Sequence, residues 1–194
     1  MTTEGSMPPG VEMRAVGLDD ARELAEALAR NREYLLPWEP DRSEGFFTEA
    51  GQRSRLANLL ALRDADRAMQ WLLTEHGQPI GAISLSRIIL GPLCSASIGY
   101  WVDRERAGRG IATAAVEAVC QVAREEFSLH RIEAGTLPEN GASQRVLEKC
   151  GFALYGRASK YLYVNGAWRD HILYQRILHN RRPDIGESPP VVRD

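Results

Sequence analysis

Cysteine is scarce in this chain: Cys94, Cys120 and Cys150 are the only three in 194 residues, and they have no paired spacing. A disulfide framework is thereby excluded, and a reducing compartment is expected. The four histidines, His76, His130, His171 and His179, form no metal-ligand pattern with each other or with a cysteine, so no metal site is expected. Neither sign of charge is in excess. With 24 Lys and Arg against 26 Asp and Glu the net charge is -2, which excludes a strongly basic nucleic-acid binder. No apolar run approaches the roughly 18 residues of a membrane span. The longest, at 88–94, is broken by Gly91 and Pro92. Residues 1–10 are polar and contain no apolar targeting core. A cytoplasmic protein is expected, with neither a membrane nor a nucleic acid as direct partner.

What is present is the composition of a globular protein: 44% hydrophobic and 26% charged residues, enough for one well-filled core and too few positions for two ordinary domains. Residues 1–10 read as a flexible tail, 11–178 as the single domain, and 179–194, rich in proline and charge, as a second flexible tail. Residues 11–16 alternate as a strand. Asp19 or Asp20 opens a helix to about Ala29, with Leu24 and Leu28 on one face. Residues 31–40 contain Pro37 and Pro40, which end any helix there, and read as an ordered loop carrying Tyr34, Trp38 and Glu39. A helix is predicted over 48–67, then strands over 69–73, 80–88 and 95–102. The last of these puts Ser97, Gly99 and Trp101 on one face and Ile98, Tyr100 and Val102 on the other. A long helix follows over 111–127, buried along Ile111, Ala115, Val119, Val122 and Phe127. A strand over 131–136, a short helix over 142–149 stopped by Gly151, and strand material over 152–156, 160–164 and 168–178 complete the chain. Asn165-Gly166 marks a hairpin turn. This order predicts one α/β (α+β) domain on a mixed sheet.

Two segments carry chemistry. Between a predicted strand and the long helix lies Val102-Asp103-Arg104-Glu105-Arg106-Ala107-Gly108-Arg109-Gly110-Ile111-Ala112. Small residues let backbone approach a ligand, unpaired amides at a helix start bind phosphate oxygens, and three arginines add charge. A surface turn that needed glycine reads equally well. The segment is neither a P-loop nor a dinucleotide fingerprint, because no Gly-Lys-Ser/Thr and no third glycine follow at the required spacing. The second segment is Asn140-Gly141-Ala142-Ser143 ahead of Glu148-Lys149-Cys150-Gly151-Phe152. It places a capping asparagine and a serine in the first turn of a short helix, and on its own it reads as a well-capped helix.

Together with Pro37-Trp38-Glu39-Pro40 and Ile98-Gly99-Tyr100-Trp101-Val102, these segments resemble the GNAT superfamily of acyl-CoA N-acetyltransferases. The resemblance covers nearly the whole of 11–178. Within the superfamily, the chain looks like the bacterial ribosomal-protein-alanine N-acetyltransferases, of the RimJ/RimL kind. The family's Gln/Arg-x-x-Gly-x-Gly/Ala pattern falls on residues 107–112. Gly110 and Ala112 match, while Ala107 stands where Gln or Arg is usual. The resemblance implies a mostly antiparallel mixed sheet in which the fourth and fifth strands, 95–102 and 131–136, run parallel and splay apart. It implies acetyl-CoA as cofactor, held by Trp101, Val102, Ala107, Gly108, Arg109, Gly110, Ile111, Ala112, Asn140 and Ser143. The tyrosine that some members carry seven positions after the capping asparagine is Leu147 here.

Transfer from a thioester to an amine needs a neutral amine, a polarised carbonyl and a proton for the leaving thiolate. No covalent enzyme intermediate is required, so the cysteines are expected to be small buried hydrophobes. The backbone amide of Tyr100 or Trp101 is the expected oxyanion donor, and Ser143 the group on the thiol side. Glu39 and Glu133 are the candidates for the base or for orienting the ammonium; packing of the proline loop and plain solvent exposure are their structural alternatives. Tyr34, Trp38, Glu39 and Ser97 are the expected acceptor-side residues. The expected acceptor is a protein N-terminal amine, a ribosomal protein's in particular. A small-molecule amine, and a non-catalytic CoA-binding sensor, are the alternatives. Either a monomer or a homodimer is compatible.

Overall fold

The structure, a computed structural model, describes residues 7–183. Within these residues seven strands form one sheet: β1 (Val11–Ala15), β2 (Met69–Glu75), β3 (Gln78–Ile89), β4 (Ser95–Val102), β5 (Arg131–Thr136), β6 (Ala153–Val164) and β7 (Ala167–Ile177). Among the described residues, five α-helices accompany them: α1 (Ala21–Arg30), α2 (Arg32–Leu35), α3 (Glu49–Asp64), α4 (Ile111–Glu125) and α5 (Gly141–Lys149). The strand order is β1-β2-β3-β4-β5-β7-β6. Every neighbouring pair is antiparallel except β4 and β5. The α/β mixed-sheet architecture and its parallel fourth and fifth strands are as the resemblance implied.

Alternation along the strands sorts the two faces. Ile83, Ile98, Tyr100, Ile132, Ala134 and Tyr174 belong to one core with α4 and Leu147 of α5. Leu72, Ala82 and Trp101 belong to the other, with Leu24, Leu28, Leu35 and Leu56 of α1, α2 and α3. β2 is buried on both faces, which is why its central residues, Trp71-Leu72-Leu73, are apolar without interruption.

Three local readings change. Residues 31–40 are not all loop: α2 occupies Arg32–Leu35. Pro37 constrains only the residue before it, and Asn31 ends α1 and opens α2 with its side chain buried. The two pieces of strand after Phe152 are one strand, β6. Its register against β7 shifts between Ala158 and Leu162, a bulge that hides the continuity in the sequence. The turn between β2 and β3 is tighter than 74–79 and consists of His76 and Gly77, both at positive φ, as a two-residue hairpin requires.

Of the tails, residues 1–6 and 184–194 lie outside the described residues. Met7 packs against the core, and the His179 carbonyl lies 2.5 Å from His130 Nδ1. Among the described residues no helix is long and apolar enough to cross a membrane.

Candidate active site

β4 and β5 are paired only from Ser95–Ser97 to Arg131–Glu133. Beyond that point they separate, so Ile98 to Val102 keep β3 on one side and present an unpaired edge on the other. Gly99 and Gly135 stand at the same level across the gap, two steps past the last paired residues. With no side chain at either position, the sheet is open from one face to the other. A cavity of about 790 Å³ passes through this opening, lined by Ile98 to Val102, Ala134 to Leu137 and the first turns of α4 and α5 on one side. On the other it is lined by Tyr34, Trp38, Glu39, Arg55, Gln70 and His171.

The loop from Ala107 to α4 borders the first part of the cavity. Gly108 and Gly110 both have φ +79°, with no atom within 4 Å of where a Cβ would stand. Glycine is the residue that adopts this backbone without strain, and the space over it is free. The first α4 amide to find a carbonyl is that of Ala114, bonded to Gly110 O at 3.0 Å. Among the described residues, the amides from Gly108 to Thr113 have no backbone partner outside their own helix, and in-helix partners start only four residues into α4. Such a row of free N–H groups at a helix N-terminus is an anion cradle. Arg106, Arg145 and Lys149 also line it.

The loop is clamped from behind. Asp103, its side chain buried, accepts from Asn31 Nδ2 at 3.1 Å, from Arg30 Nε and Nη2 at 3.1 and 3.0 Å, and from the Glu105 amide at 3.0 Å. Asn31 Oδ1 accepts the Arg104 amide at 3.0 Å. Burial raises the Asp103 pKa, but these donors outweigh it and hold the carboxyl below the usual aspartate range.

Where the two strands have separated, the Tyr100 hydroxyl lies 2.9 Å from Ser143 Oγ and 3.3 Å from Ser143 O. Asn140 Oδ1 accepts the Ser143 amide at 3.1 Å and so caps α5. Burial pushes the Tyr100 phenol up to about 12, against the opposing hydrogen bond from Ser143. It is therefore a neutral O–H at physiological pH. On the far face, the Leu35 carbonyl accepts the amides of both Trp38 and Glu39, at 2.9 and 3.2 Å, which turns both residues to the cavity. Burial raises the Glu39 carboxyl, partly offset by Arg42 and Arg55. Arg55 donates to Gln70 Oε1 at 2.8 Å and to Gln52 Oε1 at 3.3 Å. Asp41 accepts the Gly166 amide on both oxygens at 3.2 Å, joining the loop after α2 to the β6–β7 turn.

Comparison with known proteins decides what this arrangement is. Residues 11–153 match the family model described as the acetyltransferase (GNAT) domain. The chain belongs to the GNAT acetyltransferase family. It is 37% identical over 163 residues to the probable N-acetyltransferase YjcK of Bacillus subtilis, covering 83% of this chain and 90% of that protein. It superposes on the ribosomal-protein-S5-alanine acetyltransferase of Vibrio fischeri with a TM-score of 0.89 at 36% identity, covering 94% of this chain and all of the other. RimJ of Mycobacterium smegmatis, solved with CoA-disulfide, matches with a TM-score of 0.83 at 34% identity, over 86% of this chain and 81% of that one.

In this GNAT domain, Tyr100, Trp101, Val102, Ala107, Gly108, Gly110, Ile111, Ala112, Asn140 and Ser143 meet at one cavity, as do Tyr34, Trp38 and Glu39. Three expected site residues do not reach it. Arg109 is turned to Glu75, 2.8 Å away and shared with Arg106. Ser97 accepts from the Arg87 guanidinium at 2.7 Å. Glu133 is ion-paired with Arg131 at 3.0 Å and accepts from the Tyr155 hydroxyl at 3.3 Å. Ser97 and Glu133 form the last rung of β4–β5 pairing, below the opening. Leu147 is fully buried in the core. The buried thiols of Cys120 and Cys150 are pushed up to about 11 and about 12, far from nucleophiles.

Sequence reasoning missed Arg55, Gln70, Arg145, Lys149 and His171. Arg55 had a signal: Gln52, Arg55, Leu56 and Leu59 share one helical face, and a polar pair within an apolar stripe asks for a buried partner. Gln70 and His171 had none, because their strands reach the cavity only through the tertiary fold.

Proposed function

We propose that this acetyltransferase transfers the acetyl group of acetyl-CoA to a primary amine, the N-terminal α-amine of a ribosomal protein, by direct attack of the amine on the thioester. The observation that carries this reading is the continuity of one cavity. It runs from a row of free amides fit for a diphosphate, through an opening in the sheet, to a polar pocket on the other face. Gly108 to Ala112 fit the diphosphate, with Arg145 and Lys149 supplying charge. The unpaired edge of β4 fits the amide groups of a pantetheine arm, which pairs with a strand edge as another strand would. When bound, the thioester supplies an activated acyl carbon.

The chain's own residues supply the rest. A Tyr100 or Trp101 amide on the open edge stabilises the developing oxyanion. The Ser143–Tyr100 hydroxyl pair gives the departing sulfur a proton. Its phenol comes from β4. Glu39, beside Trp38 and Tyr34, holds the substrate ammonium. The relatives named for ribosomal substrates support a protein N-terminus as acceptor and a cytoplasmic site of action.

An assay of free thiol release from acetyl-CoA, with peptides beginning Ala, Ser or Thr beside small amines, tests the reading. Release that depends on a peptide supports it, and release only with small amines reassigns the acceptor. Tight CoA binding with no transfer to any amine makes the chain a sensor. Ser143→Ala is expected to lower kcat by about 10²-fold, well beyond its effect on CoA affinity.

A further inference from the structure

His171 is buried, with 5% of its surface exposed, yet it lines the acceptor part of the cavity. Its Nδ1 lies 3.2 Å from the Arg169 carbonyl. A carbonyl only accepts, so this contact requires the proton on Nδ1 and leaves Nε2 of the neutral ring with a free lone pair. No described group donates to Nε2, and it is absent from the fully occluded unpartnered atoms, as an atom open to the cavity would be. The ring's Cδ2, bonded to Nε2, comes 3.5 Å from where a Cβ of Gly135 would stand. Gly135 faces Gly99 across the sheet opening. The imidazole edge therefore lies over Gly135, beside the opening through which an amine would meet the thioester.

The bulge in β6 holds it there. Between Ala158 and Leu162 the strand carries three residues opposite Asp170 alone. Lys160 takes φ +49°, and Asp170 Oδ1 accepts its amide at 2.9 Å. The displaced strand brings Tyr161 against His171, ring centroids 5.3 Å apart and planes at 54°.

We propose that His171 is the proton acceptor for the substrate amine, a catalytic residue of the reaction proposed above, and this rests on that reading. Nε2 takes one proton from the substrate ammonium. The freed nitrogen lone pair forms the C–N bond to the acetyl carbon, and the C–S bond breaks with its electron pair on sulfur. The sulfur takes a proton from the Ser143–Tyr100 pair. The second proton lost by nitrogen restores that pair, and the imidazolium gives the first to solvent, one proton released per turnover. Tyr161 of β6 and the Arg169 carbonyl of β7 contact this imidazole, and Glu39, Arg42 and Arg55 line the same cavity. Glu133, Arg131 and Tyr155 lie further down the same sheet face.

The test uses the whole chain, acetyl-CoA and whichever amine the wild type accepts. His171→Gln keeps a polar side chain but no titratable nitrogen, and it should lose about 10²-fold in kcat or more with CoA affinity unchanged. His171→Ala should lose as much and recover about tenfold or more on addition of free imidazole, a response that a packing defect does not give. A His171→Gln variant within threefold of wild-type kcat overturns the proposal. So does a loss in both variants that imidazole leaves untouched, or one that falls in step with CoA affinity. A wild type that releases no thiol with any amine overturns the underlying reading, and this assignment with it. Glu39→Gln separates the two acceptor-side groups: it should raise KM more than it lowers kcat, and the reverse split would give the proton to Glu39 and sink His171.

Discussion

Tyr100 and Ser143 come from different elements, a strand edge and a helix cap, and meet at 2.9 Å. Groups that share one hydrogen bond act as a unit. Tyr100→Phe and Ser143→Ala are therefore expected to be non-additive: the double variant should lose little more kcat than the worse single, and fully additive losses would mean that the hydroxyls act separately. Because burial holds the phenol at about 12, no limb of the rate profile below about pH 10 should vanish in Tyr100→Phe. The same desolvation makes Cys120 and Cys150 inert. With thiols pushed up to about 11 and about 12, neither should react with a maleimide at neutral pH until the chain is unfolded; rapid labelling of either in the native state would contradict their burial.

At the scale of elements, the loop into α4 decides cofactor binding, and its backbone matters more than its side chains. Gly110→Asp adds a carboxylate and a strained φ where the free amides converge. It should weaken CoA binding by about tenfold or more, roughly 1.4 kcal/mol. Gly77→Asp is the control, with φ +76° and open space at the β2–β3 turn. It carries similar strain and should leave CoA affinity unchanged, as titration calorimetry would show; equal losses would assign the effect to global strain. Behind the loop, Asp103 makes stability pH-dependent. Its folded pKa is depressed, so its contribution is complete above the unfolded value of about 3.9. It is lost as pH falls through the folded value. Below about pH 4, Asp103→Asn should show a shallower loss of stability than the wild type in denaturant titrations; parallel curves would mean that the clamp does not depend on charge.

For the molecule as a whole, charge is segregated rather than abundant. A chain of net charge -2 lines its cavity with Arg42, Arg55, Arg106, Arg145 and Lys149 against the single carboxylate of Glu39, among the described residues. A low-dielectric cleft of one sign concentrates a polyanionic ligand. Apparent CoA affinity should drop by about an order of magnitude between roughly 0.02 and 0.5 M salt. A flat salt dependence would show that the free amides alone carry the diphosphate. The Asp41–Gly166 contact links residues 125 apart in sequence, so the loop after α2 and the β6–β7 turn meet only once the sheet is complete.

Local chemistry was readable from the chain. The glycines at 108 and 110, the asparagine cap at 140, the alternation over 95–102 and the Asn165-Gly166 turn each impose a backbone state through short-range sterics and hydrogen bonding, and each stands in the fold as read. So does the burial of Cys120, which follows from its place on the apolar face of α4. What the tertiary structure alone decided is which side chains face one another across a gap. That includes Glu133 and Ser97 left below the opening, Arg109 drawn off to Glu75, and His171 carried to the passage by a strand pairing from the far end of the chain. A one-residue change of register reverses the face a side chain occupies, and that register is set by long-range pairing and a bulge, which no local pattern encodes.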